Sequence, residues 1–272
     1  MILISATGQL NSTPDDPILY DADTYEALCR AVSEDGFRGI ELHIPDSRAI
    51  DRQAVYRTLE DNHLRLTSIG TGSVYFSRGY SLSDPDRDIR SRCIDHLAAH
   101  LETAQPYGAV VIVGCVQGRL KPGQHKDDLL DNLQQSLTEL DHLAGQMGVR
   151  LGLEVMNRFE SDALNTIAET CDFIRRGGLA NTGLHIDTFH LNIEEADISQ
   201  AILGAAGRIC HVHVTDNDRF YPGHAHYNFA ETLQALRAIN YNGALALEIK
   251  PQPDMHTAGR NSLAYLSGLL GE

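Results

Sequence analysis

VRLGLEV at residues 149–155 is the stretch from which the fold can be read. Successive side chains on a strand point to opposite faces, so Val149, Leu151, Leu153 and Val155 share one face, and Gly152 and Glu154 share the other. An acid therefore ends a strand whose opposite face is wholly aliphatic. The pattern recurs three times downstream. GLHID (183–187) sets Asp187 opposite Leu184 and Ile186, ICHVHVT (209–215) sets His213 opposite Val212 and Val214, and ALALEIK (244–250) sets Glu248 opposite Leu245, Leu247 and Ile249. In a parallel sheet backed by helices the aliphatic faces meet the helices. The four polar groups then point into the interior of a closed barrel.

Working outward, strand and helix alternate along the whole chain. ILISA opens as a strand, with a helix over residues 24–34 that ends at Gly36; GIELH is the second strand, with a helix over 52–62. LRLTSIG is the third strand, and GTGSVYFSRGYSLSDPD reads as a long loop before a helix whose face carries Ile89, Cys93, Ile94, Leu97 and Leu101. AVVIVG, almost continuously apolar, suits a parallel strand buried on both sides. Leu129, Leu130, Leu133, Leu137 and Leu140 form a helical stripe before Gly148, and Leu164, Ile167, Cys171 and Ile174 form another that stops at Gly177-Gly178. Shorter helices follow at 198–206, 229–239 and 260–270. Eight such repeats without a linker predict a single (β/α)8 TIM barrel, one domain over residues 1–272.

Composition fits that reading and narrows the partners. A length of 272 residues is near the ~250 of single barrels. The 37 acids against 22 bases give a formal charge of -15, which repels nucleic acid in general. Five cysteines without a CxxC disfavour a disulfide scaffold or a four-thiolate zinc site. MILISATG enters a strand directly, with no leader-like or membrane-spanning pattern, so a soluble cytoplasmic protein that binds no membrane is expected.

Two carboxylates, a third acid and one imidazole make a mixed, fairly hard ligand set. It suits Mn2+ or Mg2+, with Co2+ or Zn2+ also accommodated. Intervals of 33, 26 and 35 residues separate the four groups, about one β/α repeat each, as neighbouring strand ends require. Taken singly, each has an ordinary explanation: an ion pair inside the barrel, a loop cap, a polar layer. Four with matching parity and strand position are better explained by one site. Glu41 and His43 on GIELH share the inward parity, with His43 near enough the mouth to meet a substrate. His185 and His211 lie one layer below Asp187 and His213, where supporting hydrogen bonds are expected.

LGLEVMNRFESDALNT, GLHIDTFHLNIEE, HVHVTDN and ALEIK together resemble the sugar isomerase/epimerase superfamily of xylose isomerase-like barrels, and within it the ketose 3-epimerase group typified by D-tagatose 3-epimerase. The resemblance implies that Glu154, Asp187, His213 and Glu248 bind one divalent ion, Mn2+ foremost, with Mg2+ or Co2+ as alternatives. It also implies that Glu154 and Glu248 move protons, that Glu160, His190 and Arg219 bind the sugar near C1 and C2, and that the protein is a homodimer or homotetramer. The group's usual tryptophan near the end of the fourth strand is replaced by VGCVQGRL, so the pocket wall differs. Arg119 in that segment is a candidate for binding a carboxylate or a distal oxygen. That makes a keto-sugar acid a substrate candidate beside a neutral ketose.

The chemistry expected is epimerisation at C3 through a cis-enediolate. One glutamate removes the C3 proton and the other returns a proton to the opposite face. An aldose-ketose isomerase, moving a proton between C1 and C2, is the nearest alternative. A sugar dehydratase, a non-catalytic sugar-binding protein and an endonuclease IV-like enzyme are more distant ones.

Overall fold

The computed structural model describes residues 2–13 and 16–271. Its strands are β1 (Leu3–Leu10), β2 (Tyr20–Ala22), β3 (Gly39–His43), β4 (Arg65–Gly70), β5 (Val110–Val113), β6 (Leu151–Val155), β7 (Thr182–Asp187), β8 (Ile209–His213) and β9 (Ala244–Leu247). Strands β1 and β3 to β9 pair in parallel in chain order, and β1 pairs with β9 to close an eight-stranded ring. The short β2 lies outside that ring, extending β1 from Gly8 to Leu10.

Around the ring run α1 (Tyr25–Glu34), α2 (Arg52–Asp61), α3 (Ser73–Arg78), α4 (Arg87–Ala104), α5 (Lys126–Met147), α6 (Ile167–Arg176), α7 (Thr188–Glu194), α8 (Ile198–Gly204), α9 (Phe229–Ala238) and α10 (Met255–Leu270). Many start where a short polar side chain can accept a free amide of the first turn. Thr24 accepts from Ala27, Asp51 from Ala54, Thr166 from Glu169, Asp197 from Gln200 and Asp254 from Thr257. Gly148 and Gly178 close α5 and α6 at φ 66° and 63°, a left-handed backbone that costs glycine little.

The aliphatic faces read from the sequence pack as expected. Leu151, Leu153, Val155, Leu184, Ile186, Val212, Val214, Leu245, Leu247 and Ile249 are fully buried in one core with the helices. Each contributes about 1.5–3 kcal/mol by leaving water. The barrel expectation is therefore borne out, with local differences. The loop after the third predicted strand contains α3; its six residues, with Val74, Tyr75 and Phe76 consecutive, are too few to show a helical apolar period. Leu164 is buried but precedes α6 in a left-handed backbone (φ 59°), so apolar spacing extended that helix by one turn too many. The last helix begins at Met255 rather than near 260, because Asp254 caps it.

One buried group away from the barrel mouth should make stability fall in acid. His100 on α4 pairs its Nδ1 with Ser47 Oγ at 2.7 Å, while its Nε2 is buried with no hydrogen-bond partner among the described residues. Burial, reinforced by neighbouring His96, lowers its pKa to about 3. An unfolded histidine titrates near ~6.5, so the folded chain binds fewer protons between these values. Stability is then full above the unfolded pKa and is lost as pH falls from there toward 3, at up to about 1.4 kcal/mol per pH unit. His100→Asn keeps a polar partner for Ser47 without titrating. Its urea midpoint should fall less steeply between pH 6 and 4 than that of the unsubstituted protein; equal slopes would contradict this account.

Candidate metal centre and sugar pocket

The four strand-end groups converge at the C-terminal mouth of the barrel. Asp187 closes β7 and caps α7, its Oδ1 accepting from Phe189 N at 2.9 Å. Glu154 and His213 lie on β6 and β8, and Glu248 follows β9 by one residue. Ligand atoms of Asp187, His213 and Glu248 all lie within 4.8 Å of one another, as do those of Glu154, Asp187 and His190, and those of Glu154, His185 and His213. Each glutamate thus comes close to both Asp187 and His213, Glu248 in one cluster and Glu154 in two. They are not on separate surfaces.

Two observations fit a cation at this place. His213 Nδ1 is buried, 3.4 Å from Glu248 Oε2, and has no hydrogen-bond partner among the described residues. The Arg219 guanidinium lies between the carboxylates, with Nη1 2.6 Å from Asp187 Oδ2 and 2.8 Å from Glu248 Oε2. Positive charge is already gathered where an ion would sit. Arg219 gets there through a left-handed backbone (φ 65°), unusual for a residue with a β-carbon, and its Cζ stacks 4.2 Å from the Phe189 ring centroid.

Above the carboxylates opens a cavity of about 560 Å³, in the range of pockets that enclose small organic ligands. Glu160, His190, Arg219 and His43 all border it, beside Glu154 and Glu248. His190 lies on α7, three residues beyond Asp187. Asn157 Nδ2 donates to His190 Nδ1 at 2.7 Å and to Glu160 Oε1 at 2.9 Å, leaving the other ring nitrogen of His190 3.5 Å from Glu154 Oε1. Glu160 therefore reaches His190 through Asn157. Sequence reasoning missed Asn157, although it stands in the same NRFE segment.

Arg119 requires a correction. It does not border the cavity: its guanidinium is paired with Asp162 at 3.0 Å and donates to Phe159 O. Forty-two residues separate Asp162 from Leu120, yet Asp162 also accepts from Leu120 N, so one acid ties down the whole turn after β5. The substitute for the missing tryptophan is smaller: Cys115 and Met156 line the wall, with the exposed ring of Phe76 at the rim.

Below these four groups lies a buried layer organised by Glu41. Its carboxylate accepts from His43 Nε2 (2.7 Å), Ser68 Oγ (2.5 Å), His211 Nε2 (2.8 Å) and His213 Nε2 (3.0 Å). Inward parity placed Glu41 here, but nothing local revealed that it faces His213 across the barrel. The neighbouring charges divide the glutamates. Burial, helped by Glu248, pushes the Glu154 carboxyl up against the opposing pull of His190. Burial would also raise Glu248, but His213 and Arg219 hold it well below the usual carboxylate range. Carboxyl groups driven apart in this way suit an acid and a base acting together.

A family model for the xylose isomerase-like TIM barrel matches residues 29–266. The chain belongs to the xylose isomerase-like TIM-barrel family. Among its relatives, an L-ribulose 3-epimerase from Mesorhizobium japonicum is 31% identical over 220 residues, covering 79% of this chain and 72% of its own. A 3-dehydro-D-guloside 4-epimerase from Escherichia coli is 28% identical over 248 residues, covering 87% of this chain and 92% of its own. A solved L-ribulose 3-epimerase superposes with a TM-score of 0.85 at 26% identity, covering 100% of this chain and 95% of its own. The resemblance carried by the NRFE, DTFH and HVHV segments is thereby borne out. No described helix is long and apolar enough to cross a membrane.

Proposed function

We propose that the protein is a divalent-metal-dependent epimerase that inverts C3 of a neutral ketose through a cis-enediolate. The observation that carries this reading is that Asp187, His213 and Glu248 form one close cluster, that Glu154 lies within ligand distance of Asp187 in one cluster and of His213 in another, and that Glu154, His213 and Glu248 line the same cavity. These four residues would hold the ion, Mn2+ foremost, with Mg2+ or Co2+ as alternatives. When bound, it supplies positive charge against the oxygens of the enediolate.

The chain's own residues divide the remaining work. Glu248 takes the C3 proton on one face and Glu154 delivers a proton to the other, the roles exchanging in the reverse direction. His190, fixed by Asn157 and facing Glu154, donates toward the sugar's C1–C2 oxygens, with Glu160 behind it. Arg219 steadies Asp187 and Glu248 and borders the sugar; His43 borders it from the opposite strand. A neutral sugar is favoured over a keto-sugar acid because Arg119 is engaged by Asp162 away from the cavity and Arg219 is engaged by two carboxylates. The uninterrupted strand-helix repeats support one domain over residues 1–272 in a cytoplasmic protein, and the family resemblance supports a homodimer or homotetramer.

Epimerisation at C4 of a 3-keto-glycoside is a second reading, supported by the long match to the Escherichia coli 4-epimerase. It needs the same step one carbon along, again beside a carbonyl. Incubating metal-loaded protein in deuterated water with L-ribulose, D-psicose, a keto-sugar acid and a 3-keto-glycoside separates the cases. Deuterium at C3 of a neutral ketose with inverted configuration is expected. Label at C1 or C2 with aldose formation would replace the reading by isomerisation, and label confined to C4 of the glycoside would select the second.

Gly114, directly after β5, gives an independent check on Glu154. A β-carbon there would collide with Glu154 Oε2. Gly114→Ala should leave the far-UV spectrum unchanged but displace the carboxylate, and a displacement near 1 Å costs on the order of 10²-fold in turnover. Unchanged kcat would show that Glu154 need not occupy this position.

A further inference from the structure

The hydrogen bonds beneath the site determine which nitrogen of His213 can face an ion. Both oxygens of Glu41 lie against His213 Nε2, at 3.0 and 3.1 Å, and the carboxylate is completely buried. A buried carboxylate accepts and does not donate when ionised, so Nε2 carries a proton toward it. That leaves Nδ1, which faces Glu248 and has no hydrogen-bond partner among the described residues. The His185 and His213 rings meet edge to face, with centroids 4.2 Å apart, which helps to fix the ring plane of His213.

We infer that Glu41 is a positioning residue that holds the proton on His213 Nε2 and presents Nδ1 as the metal-binding nitrogen. The inference rests on the proposed metal centre and extends it to a residue 172 positions away in sequence. Carboxylates behind metal-binding imidazoles commonly orient the ring and raise its basicity. Here the carboxylate also holds His43, Ser68 and His211, so one group on β3 fixes side chains from β4 and β8. Glu41 touches no reacting atom; it acts through His213.

The test uses the full-length protein, stripped of metal, labelled with 15N-histidine and reloaded with 113Cd2+. Coupling of cadmium to Nδ1 of His213, with a proton retained on Nε2, is the expected result. A purely structural role for Glu41 would not determine that choice of nitrogen. Coupling to Nε2 would overturn the inference, as would a second cadmium ion bound by Glu41 itself. Glu41→Gln keeps the shape but turns an amide donor toward other donors, and should weaken Mn2+ binding by about 10–100-fold. Glu41→Asp retains the charge and should recover part of that loss. Affinity unchanged in folded Glu41→Gln would also overturn the inference. If Glu41→Gln does not fold, the nitrogen assignment in the unsubstituted protein still decides. Failure of the unsubstituted protein to bind any divalent ion would defeat the proposed function together with this inference, whereas binding through Nε2 would defeat this inference alone.

Discussion

Glu248→Gln, assayed with its metal content verified, should lose turnover by about 10²–10⁴-fold, the usual contribution of a positioned proton carrier. Glutamine keeps the shape and an oxygen for Arg219 Nη1, now 2.8 Å from Glu248 Oε2, but cannot take up a proton. Glu154→Gln should lose as much. The two variants should nonetheless differ in what they retain. With Glu248 silenced, Glu154 can still remove and return the C3 proton of the epimer whose hydrogen faces it, so that epimer exchanges with deuterated water without inversion. The other epimer should not exchange. Glu154→Gln should show the mirror-image pattern, because the proposed mechanism has the two carboxylates act on opposite faces of C3. Loss of exchange on the same epimer in both variants would remove the two-sided mechanism, and near-normal turnover in metal-loaded Glu248→Gln would remove Glu248 from it.

What could be read from the sequence was set by the period of two along each strand. Parity assigned Glu154, Asp187, His213 and Glu248 to the inner face because each aliphatic partner had to be outside, and the structure buries those partners completely. Parity also turned Glu41 inward. Its meeting with His213 depended on ring closure through β1 and β9, which no local pattern encodes. Arg119 failed for a related reason. A flexible cation in a loop reaches whichever acid the fold brings near, and here that is Asp162. Arg219 was legible as a residue following the seventh barrel strand, but its approach to Asp187 and Glu248 depends on a left-handed turn that a non-glycine residue gives no reason to expect.

Chelation should abolish turnover while leaving the barrel folded. The second expectation follows from Arg219: with an ion removed, its guanidinium still lies between Asp187 and Glu248, so those buried acids are not left without a cation. Restoring Mn2+ should return activity and raise the melting temperature with concentration, since an ion that binds only the folded chain stabilises it by about 2.7 kcal/mol at a hundredfold excess over Kd. Co2+ and Mg2+ should substitute with different efficiencies. Asp187→Asn removes a negative charge from the ligand set while preserving an oxygen that can cap α7 through Phe189 N. That variant should fold, show little Mn2+-dependent change in melting, and lose turnover at ion concentrations that saturate the unsubstituted protein. Its activity should return only partly at high Mn2+, because the ion must draw Glu248 away from Arg219 without the charge of Asp187 to help. Full turnover in protein shown to be free of divalent metal would end the proposal that an ion stabilises the enediolate, and would leave Arg219 as the cation that does.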